Sequence, residues 1–392
     1  MKLTNLNKKA KYDFKKIFSE YKKLGIPKDY WTPINCDMSI LWHVLISLRK
    51  SGKTTNIILL GLIMNKIYGT MIGYCRQTAN QIVPKNCYTL FEVIKKEGYI
   101  SKITDKKFND IYIYANRLYY CNYDNKGKVI EKSEPIMYLL SVDNSELYKS
   151  ALNLPNCDLI IFDEFVSNSY NKNEFVKFCD IYDTIARYRS ECWVFMLANT
   201  LNPYNMYFQE LGISKKIREL NWGDCRTYTS GSVAIEVELI KPNDYQKSDN
   251  KKGKLNSLRF GFNNPNLASI TGQAVWNIKH YPHYAVPINN YTLLHRAVVE
   301  IDGDYIKIEI RNCKEIGLHA YVKPTTQFKD DCIVYTCGNV LSKKYRKWFG
   351  YDKRDKELWK IINEGRVFYA TNEVGLMLDN YIIMCGNKTH IV

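Results

Sequence analysis

Two clusters of residues in this chain have the types and spacing for phosphate chemistry. The first is Ser47-Leu48-Arg49-Lys50-Ser51-Gly52-Lys53-Thr54, set between an apolar strand-like run (41–48) and an apolar helical run (54–67). A phosphate-binding loop reads G-x-x-x-x-G-K-[ST], and here Ser47 stands where the first glycine is usual. Gly52 lets the backbone approach the phosphates, while the loop N–H groups and the helix N-terminus attract an anion. Lys53 has the reach for the β- and γ-phosphates of ATP, and the Thr54 hydroxyl can ligate Mg²⁺. Arg49, Lys50, Ser51 and Thr55 complete the expected nucleotide contacts. Gly-Lys-Thr alone is common and says little; the strand–loop–helix setting gives it meaning.

The second cluster is Leu159-Ile160-Ile161-Phe162-Asp163-Glu164, a buried strand ending in two acids. A carboxylate at the end of a strand beside a phosphate loop is where Mg²⁺ needs a partner, and Asp163 suits that role. Glu164 then polarises the attacking water as general base. An exposed acidic turn after a core strand is the bland alternative. Asn199, at the tip of a further apolar strand (193–197), can touch the γ-phosphate or the water, or can simply cap the strand. Both readings stand at this point. Among the arginines, Arg49 lies inside the loop and Arg76 ends the second strand. Arg187 and Arg189 follow a helix about two dozen residues after the acids. A cation supplied across a subunit boundary stabilises phosphoryl transfer. Arg187 or Arg189 is expected to serve in trans, with Lys149 as a weaker candidate.

These residues need elements to position them. The pattern predicts short basic helices within 1–35, with Phe14, Ile17, Phe18 and Tyr21 on one face. A β–loop–α–β unit follows over 41–74, the start of an α/β domain with a parallel sheet. Hairpin strands are expected over 111–142 around a turn at 124–127, then a helix at 145–152, the acid strand, and a helix at 173–185. Another helix opens at Asn202-Pro203, and 226–239 is strand-like. Residues 77–110 carry no clear assignment. The expected domains are 1–241, an ATPase domain with a basic helical arm; 242–288, a linker rich in Asn, Lys, Gly and Pro; and 289–392, a second α/β domain. The last opens with two strands turning at Asp302-Gly303-Asp304.

Composition narrows the partners. The net charge is +16 with a pI near 9.1. Nine lysines against three acids fall in residues 1–35, and 247–259 and 343–360 are basic again. Such an excess points to a polyanion, nucleic acid first. The 12 cysteines contain no C-x-x-C pair and no zinc-finger spacing, so reduced, mostly buried thiols are expected. Neither a secretory leader nor a run of roughly 20 apolar residues is visible, so a soluble cytoplasmic protein is expected, without a membrane partner.

In their order, the motifs resemble the large-subunit (terminase-type) ATPases of tailed-virus genome packaging, over about residues 41–205. Size and loop details look most like the packaging ATPases of small protein-primed phages, the Picovirinae type. That resemblance implies an additional-strand P-loop NTPase fold with a catalytic glutamate. It also implies a homopentameric ring docked on the portal of an empty capsid in the host cytoplasm, driving double-stranded DNA inward. In the small-phage branch a structural packaging RNA bridges motor and capsid. Lys53, Thr54, Asp163 and Glu164 match the motifs; Ser47 departs from them. Larger relatives carry an RNase H-like nuclease as the last domain, which needs three or four carboxylates around two metals. Glu300, Asp302, Asp304, Glu309 and Asp379 show no such signature, so a vestigial nuclease domain is expected, binding nucleic acid or the portal. Two other readings compete. One is a helicase or recombination ATPase acting on single strands, which the 31 tyrosines could serve by stacking. The other is a nucleotide switch without motor action, against which Glu164 argues.

Overall fold

The computed structural model describes residues 11–151, 154–166, 173–187, 189, 191–199, 203, 205–242, 281, 290–328, 332–338, 340, 342–347, 349 and 353–385. The expected linker at 242–288 lies outside these residues except for 242 and 281, as do the basic stretch 247–259, Thr200 and Asn202. The chain divides into two compact units. The first comprises Met1–Ser167, Asn173–Thr200 and Glu219–Leu255; the second comprises Asn168–Lys172, Leu201–Arg218 and Asn256–Val392.

In the first unit, α1 (Phe14–Lys22) is capped by the Asp13 carboxylate, which accepts from the Lys15 and Lys16 N–H groups, and it buries Ile17 and Tyr21. Strand β1 (Trp42–Ser47) leads into α2 (Lys53–Tyr68). Apolar residues surround α2 on every side, so Ile57 to Leu60 and Leu62 to Met64 are all buried. Gly61 lets it lie close against the sheet: a Cβ there would meet Ile72 Cδ1 at 2.6 Å. Next come β2 (Met71–Arg76), α3 (Pro84–Lys96) and α4 (Tyr99–Ile103). These two helices fill the stretch the sequence left unassigned. The meander β3 (Asp110–Tyr114), β4 (Arg117–Tyr123) and β5 (Val129–Ser141) turns at Asp124–Gly127, as expected. Then follow α5 (Ser145–Ala151), β6 (Cys157–Asp163), α6 (Glu174–Ala186), β7 (Trp193–Asn199), and the hairpin β8 (Cys225–Ser230) and β9 (Val233–Leu239).

The nine strands form one sheet in the order β3-β4-β5-β2-β6-β7-β1-β9-β8. From β5 to β9 neighbouring strands run parallel. The acid strand β6 is separated from the loop strand β1 by β7, which is the additional strand expected. Parallel strands bring the ends of β1, β6, β7 and β2 to one edge, where a ligand site forms.

The second unit includes the short helices α7 (Met206–Glu210), capped by Asn205, and α8 (Ser214–Arg218). Its sheet has the order β14-β13-β10-β11-β12-β15. Strands β10 (Thr292–Ile301), β11 (Asp304–Cys313) and β12 (Gly317–Pro324) are antiparallel, turning at Asp302 (φ 54°) and Gly303 (φ 77°). Strands β13 (Ile333–Thr336), β14 (Tyr345–Arg346) and β15 (Val367–Tyr369) extend it in parallel. Helices α9 (Lys353–Asn363) and α10 (Asn372–Cys385) supply Leu358, Ile361, Leu378 and Tyr381 to its core.

Candidate active site

Between β1 and α2 the loop turns through two left-handed residues, Lys50 (φ 69°) and Gly52 (φ 86°). Ser47 is not one of them. Its hydroxyl, buried, pairs with the Ser51 hydroxyl at 2.8 Å and donates to the Leu48 carbonyl at 2.8 Å. The departure from glycine is thus absorbed by a hydrogen bond within the loop. Gly52 has no such freedom: a Cβ there would meet Tyr30 Cδ1 at 2.8 Å and Asn56 Nδ2 at 3.0 Å.

The N-terminal segment is built onto the loop. The Trp31 N–H donates to the Ser51 carbonyl at 3.0 Å. Asn56 Nδ2 donates to the carbonyls of Trp31 (2.7 Å) and Gly52 (3.0 Å), and its Oδ1 accepts from the Tyr21 hydroxyl at 2.6 Å. What the sequence suggests is a basic arm is therefore, from Tyr21 to Trp31, part of the site's wall.

Lys53, Thr54, Asp163 and Asn199 come together. Lys53 is 6% exposed and its Nζ donates to Asn199 Oδ1 at 2.8 Å. The register explains this, since Ser47 and Asn199 are paired at the ends of β1 and β7. Burial, outweighing the attraction of Asp163 and Glu164, lowers the Lys53 amine to about 8, and Arg49 adds to the lowering. An arriving phosphate would supply the missing negative charge.

Asp163 is 4% exposed and fully engaged. Its Oδ1 accepts from the Thr54 hydroxyl at 3.0 Å and from the Glu164 N–H at 3.1 Å. Its Oδ2 accepts from the Tyr74 hydroxyl at 2.8 Å and from Arg76 at 3.2 Å. Burial first, then Asp163, pushes the Tyr74 phenol well up, so it stays a donor. Thr54 and Asp163 offer two hard oxygens in contact, the donor type Mg²⁺ takes.

Glu164 sits in the left-handed region (φ 51°), where a non-glycine residue is strained, a feature that clusters at active sites. Its carboxylate is half-exposed and bridged by Arg76 at 2.5 Å. Arg76 thus holds both acids at once. The sequence placed Arg76 at this edge without a role; its double ion pair is visible only once β2 and β6 are known to be neighbours. Tyr74 gave no signal at all.

The trans candidates lie elsewhere. Arg187 and Arg189 fall between α6 and the start of β7, so a strand length of about 20 Å separates them from Asn199. Arg187 is exposed. Arg189 donates to the carbonyls of Cys157 (2.6 Å) and Leu154 (2.5 Å) and to Asp158 Oδ1 (2.9 Å). In this chain it braces the entry to β6. Lys149 pairs with Glu146 at 2.9 Å and Asp180 at 3.0 Å.

The loop opens on a cavity of about 710 Å³. Arg49 to Asn56, Asp163, Glu164 and Asn199 line its polar end. Ile26, Pro27, Tyr30, Val93 and Tyr99, with Glu97, line the other. Those last residues come from the N-terminal segment and from α3 and α4, which the sequence did not bring to the site.

No protein-family model matches the chain, and no curated protein matches it. Solved structures do. The chain is similar to the Phi-28 gp11 DNA packaging motor over 93% of its own length and 100% of that chain, with a TM-score of 0.53 and 16% identity. It is similar to the chain in the bacteriophage Phi-29 viral genome packaging motor assembly over 91% and 99% of the two chains, with a TM-score of 0.51 and 16% identity. The chain has the fold of these motor proteins. At 16% identity this likeness speaks for the architecture of both units, and the chemistry rests on the side chains described above. Among the described residues, no helix is long and apolar enough to cross a membrane.

Proposed function

We propose that this chain is a genome-packaging ATPase, a motor that hydrolyses ATP to drive double-stranded DNA into an empty viral capsid. The observation that carries the proposal is the joining of Lys53–Asn199 and Thr54–Asp163 at one sheet edge, in a chain that shares the fold of two packaging motors over nearly its full length. Lys53 and the loop N–H groups bind the β- and γ-phosphates, and the base lies toward Tyr30 and Tyr99. Thr54 and Asp163 would hold Mg²⁺, which would neutralise phosphate charge when bound. Glu164, released from Arg76, orients and deprotonates the attacking water; Asn199, given up by Lys53, is placed to sense the γ-phosphate. A homopentameric ring, a portal and a packaging RNA are the expected surroundings. Of the arginines expected in trans, Arg187 is the exposed one, while Arg189 already has partners in its own subunit.

We read the second unit as a nuclease-derived domain without catalysis. Four of the five candidate carboxylates there have partners of their own, while one oxygen of the fifth, Asp302, is buried without a hydrogen bond. Glu300 accepts from the Gly303 N–H at 2.7 Å and from the Thr336 hydroxyl, and Asp304 pairs with Arg218 at 2.6 Å. Glu309 pairs with Arg311 at 2.5 Å and Lys323 at 3.1 Å, and Asp379 accepts from Tyr281 at 2.9 Å. Carboxylates engaged largely one by one, two by cations and two by neutral donors, do not make the convergent pair of metal sites that nuclease chemistry needs.

The test is ATP hydrolysis by the purified chain, alone and with double-stranded DNA, single-stranded DNA or RNA, beside Lys53→Ala and Glu164→Gln. Stimulation by duplex DNA, lost in both variants, supports the motor. Stimulation by single strands alone replaces it with a helicase-like enzyme.

A further inference from the structure

At the opposite end of β1 from the phosphate loop, three side chains from distant parts of the sequence converge. His43 is the second residue of β1, Glu236 lies directly across from it on β9, and Cys36 comes from the segment that enters β1. One ligand atom from each lies within 4.8 Å of the others. All three are shielded: His43 is 0% exposed, Glu236 4% and Cys36 8%.

Hydrogen bonding around His43 leaves a proton unaccounted for. Its Nε2 lies 2.9 Å from the Ile40 carbonyl, which can only accept, so Nε2 carries a hydrogen. Its Nδ1 lies 3.0 Å from Glu236 Oε1. In a neutral ring that nitrogen turns a lone pair toward a carboxylate oxygen, which requires either an additional proton or a cation between them. An imidazole whose far N–H is fixed by a backbone carbonyl is the arrangement that aims a metal ligand. The other Glu236 oxygen is held by the Asp37 N–H at 3.0 Å, and Phe195 stacks on the imidazole with centroids 4.4 Å apart. The Cys36 thiol lies beside the same carboxylate.

We propose that Cys36, His43 and Glu236 bind one zinc-type transition-metal ion, through a thiolate, an imidazole Nδ1 and a carboxylate oxygen, with the fourth position open to water. A thiolate with an imidazole selects zinc or cobalt over Mg²⁺, so this site is chemically distinct from the one at Thr54 and Asp163. Tetrahedral ligands at zinc distances put N and O about 3.4 Å apart, so the present 3.0 Å pair opens by only about 0.4 Å. Binding displaces the Cys36 thiol proton and the proton shared by His43 and Glu236, and both go to solvent. The metal would tie β9 and the N-terminal segment to β1. Five residues before Cys36, Trp31 is bonded to the loop at Ser51 and donates to Glu238 on β9 at 2.8 Å. Occupancy therefore stiffens the Tyr30–Trp31 wall of the nucleotide cavity.

The full chain, stripped with a chelator, is titrated with Co²⁺ alone and then Zn²⁺ alone. The expected result is one Co²⁺ per chain with a thiolate-to-cobalt charge-transfer band, displacement by Zn²⁺, and a higher melting temperature with metal. Native mass spectrometry should show one metal gained and two protons lost. Cys36→Ser should abolish the band, Glu236→Gln should weaken binding at least about tenfold, and Cys225→Ser, a thiol beside the cluster, should keep the band. No thiolate band in the native chain, or a band that survives in Cys36→Ser, overturns the proposal. Should a variant misfold, the native chain's stoichiometry and proton release decide alone.

Discussion

Nucleotide binding should weaken as pH rises above about 8, and Lys53 is the reason. Burial holds its amine at about 8 against an ordinary 10.5. That gap of about 2.5 pH units is about 3 kcal/mol set against carrying charge in the empty site. A bound triphosphate supplies that charge's partner and returns the amine toward its ordinary value. Above pH 8 the bound state therefore holds a proton that the free state lacks, so affinity falls with rising pH, by up to about tenfold per unit. Below pH 7 the free amine is already charged and this dependence vanishes. The phosphate's own titration, near pH 6, is complete before the effect begins. Calorimetry with a non-hydrolysable ATP analogue and Mg²⁺ in buffers of differing ionisation enthalpy reads this directly. About half a proton should be taken up at pH 8 and nearly one at pH 9. Affinity that is flat from pH 7.5 to 9.5, with no buffer dependence, would refute the reasoning, because Lys53 would then be charged in the empty site. The guanidinium of Lys53→Arg does not titrate in this range, so any binding it retains should be flat.

Three further outcomes follow from the geometry. Glu164→Gln should bind ATP while hydrolysing it about 10²- to 10⁴-fold more slowly, checked by equilibrium binding beside single-turnover kinetics. Arg76→Ala leaves Asp163 and Glu164 without their cation and should cost about 3 kcal/mol of stability in the nucleotide-free chain, recovered in part by Mg²⁺ in a thermal melt. Gly52→Ala combines a left-handed φ of 86° with a 2.8 Å contact to Tyr30 and should abolish nucleotide binding; Tyr30→Ala in the same chain relieves the contact but not the backbone strain, so binding should return only in part.

Much of the site was legible because its residues are local. A phosphate loop needs a short stretch of chain between a strand and a helix, and a strand ending in two acids is likewise contiguous. The β–loop–α–β unit, the turn at 124–127 and the Asp302-Gly303 hairpin follow from apolar periodicity and turn chemistry, which are also local. Residues 77–110 are different: α3 buries Cys87, Phe91 and Ile94 at helical spacing along its 13 residues, a local signal that was present in the sequence and left unassigned. The basic arm's contact with the site was not legible: charge is read from side-chain type, while Tyr21, Tyr30 and Trp31 act through contacts with Asn56, Gly52 and Ser51, 20 to 35 residues away.

The sequence by itself determined the phosphate-loop and acid-strand motifs and the parallel α/β architecture of the first unit, since these depend on residues adjacent in the chain. Only the tertiary structure decided which side chains from different strands share a partner. Strand order puts β2 beside β6, so Arg76 clamps Asp163 and Glu164. Strand register puts Asn199 on Lys53 and His43 opposite Glu236. It also places Arg189 on Asp158, at the far end of the strands from the Gly52–Lys53 loop. Pairings across 88, 146 and 193 residues leave no spacing to read, because the distance that matters is set by how a sheet is wound and not by how far the chain has run.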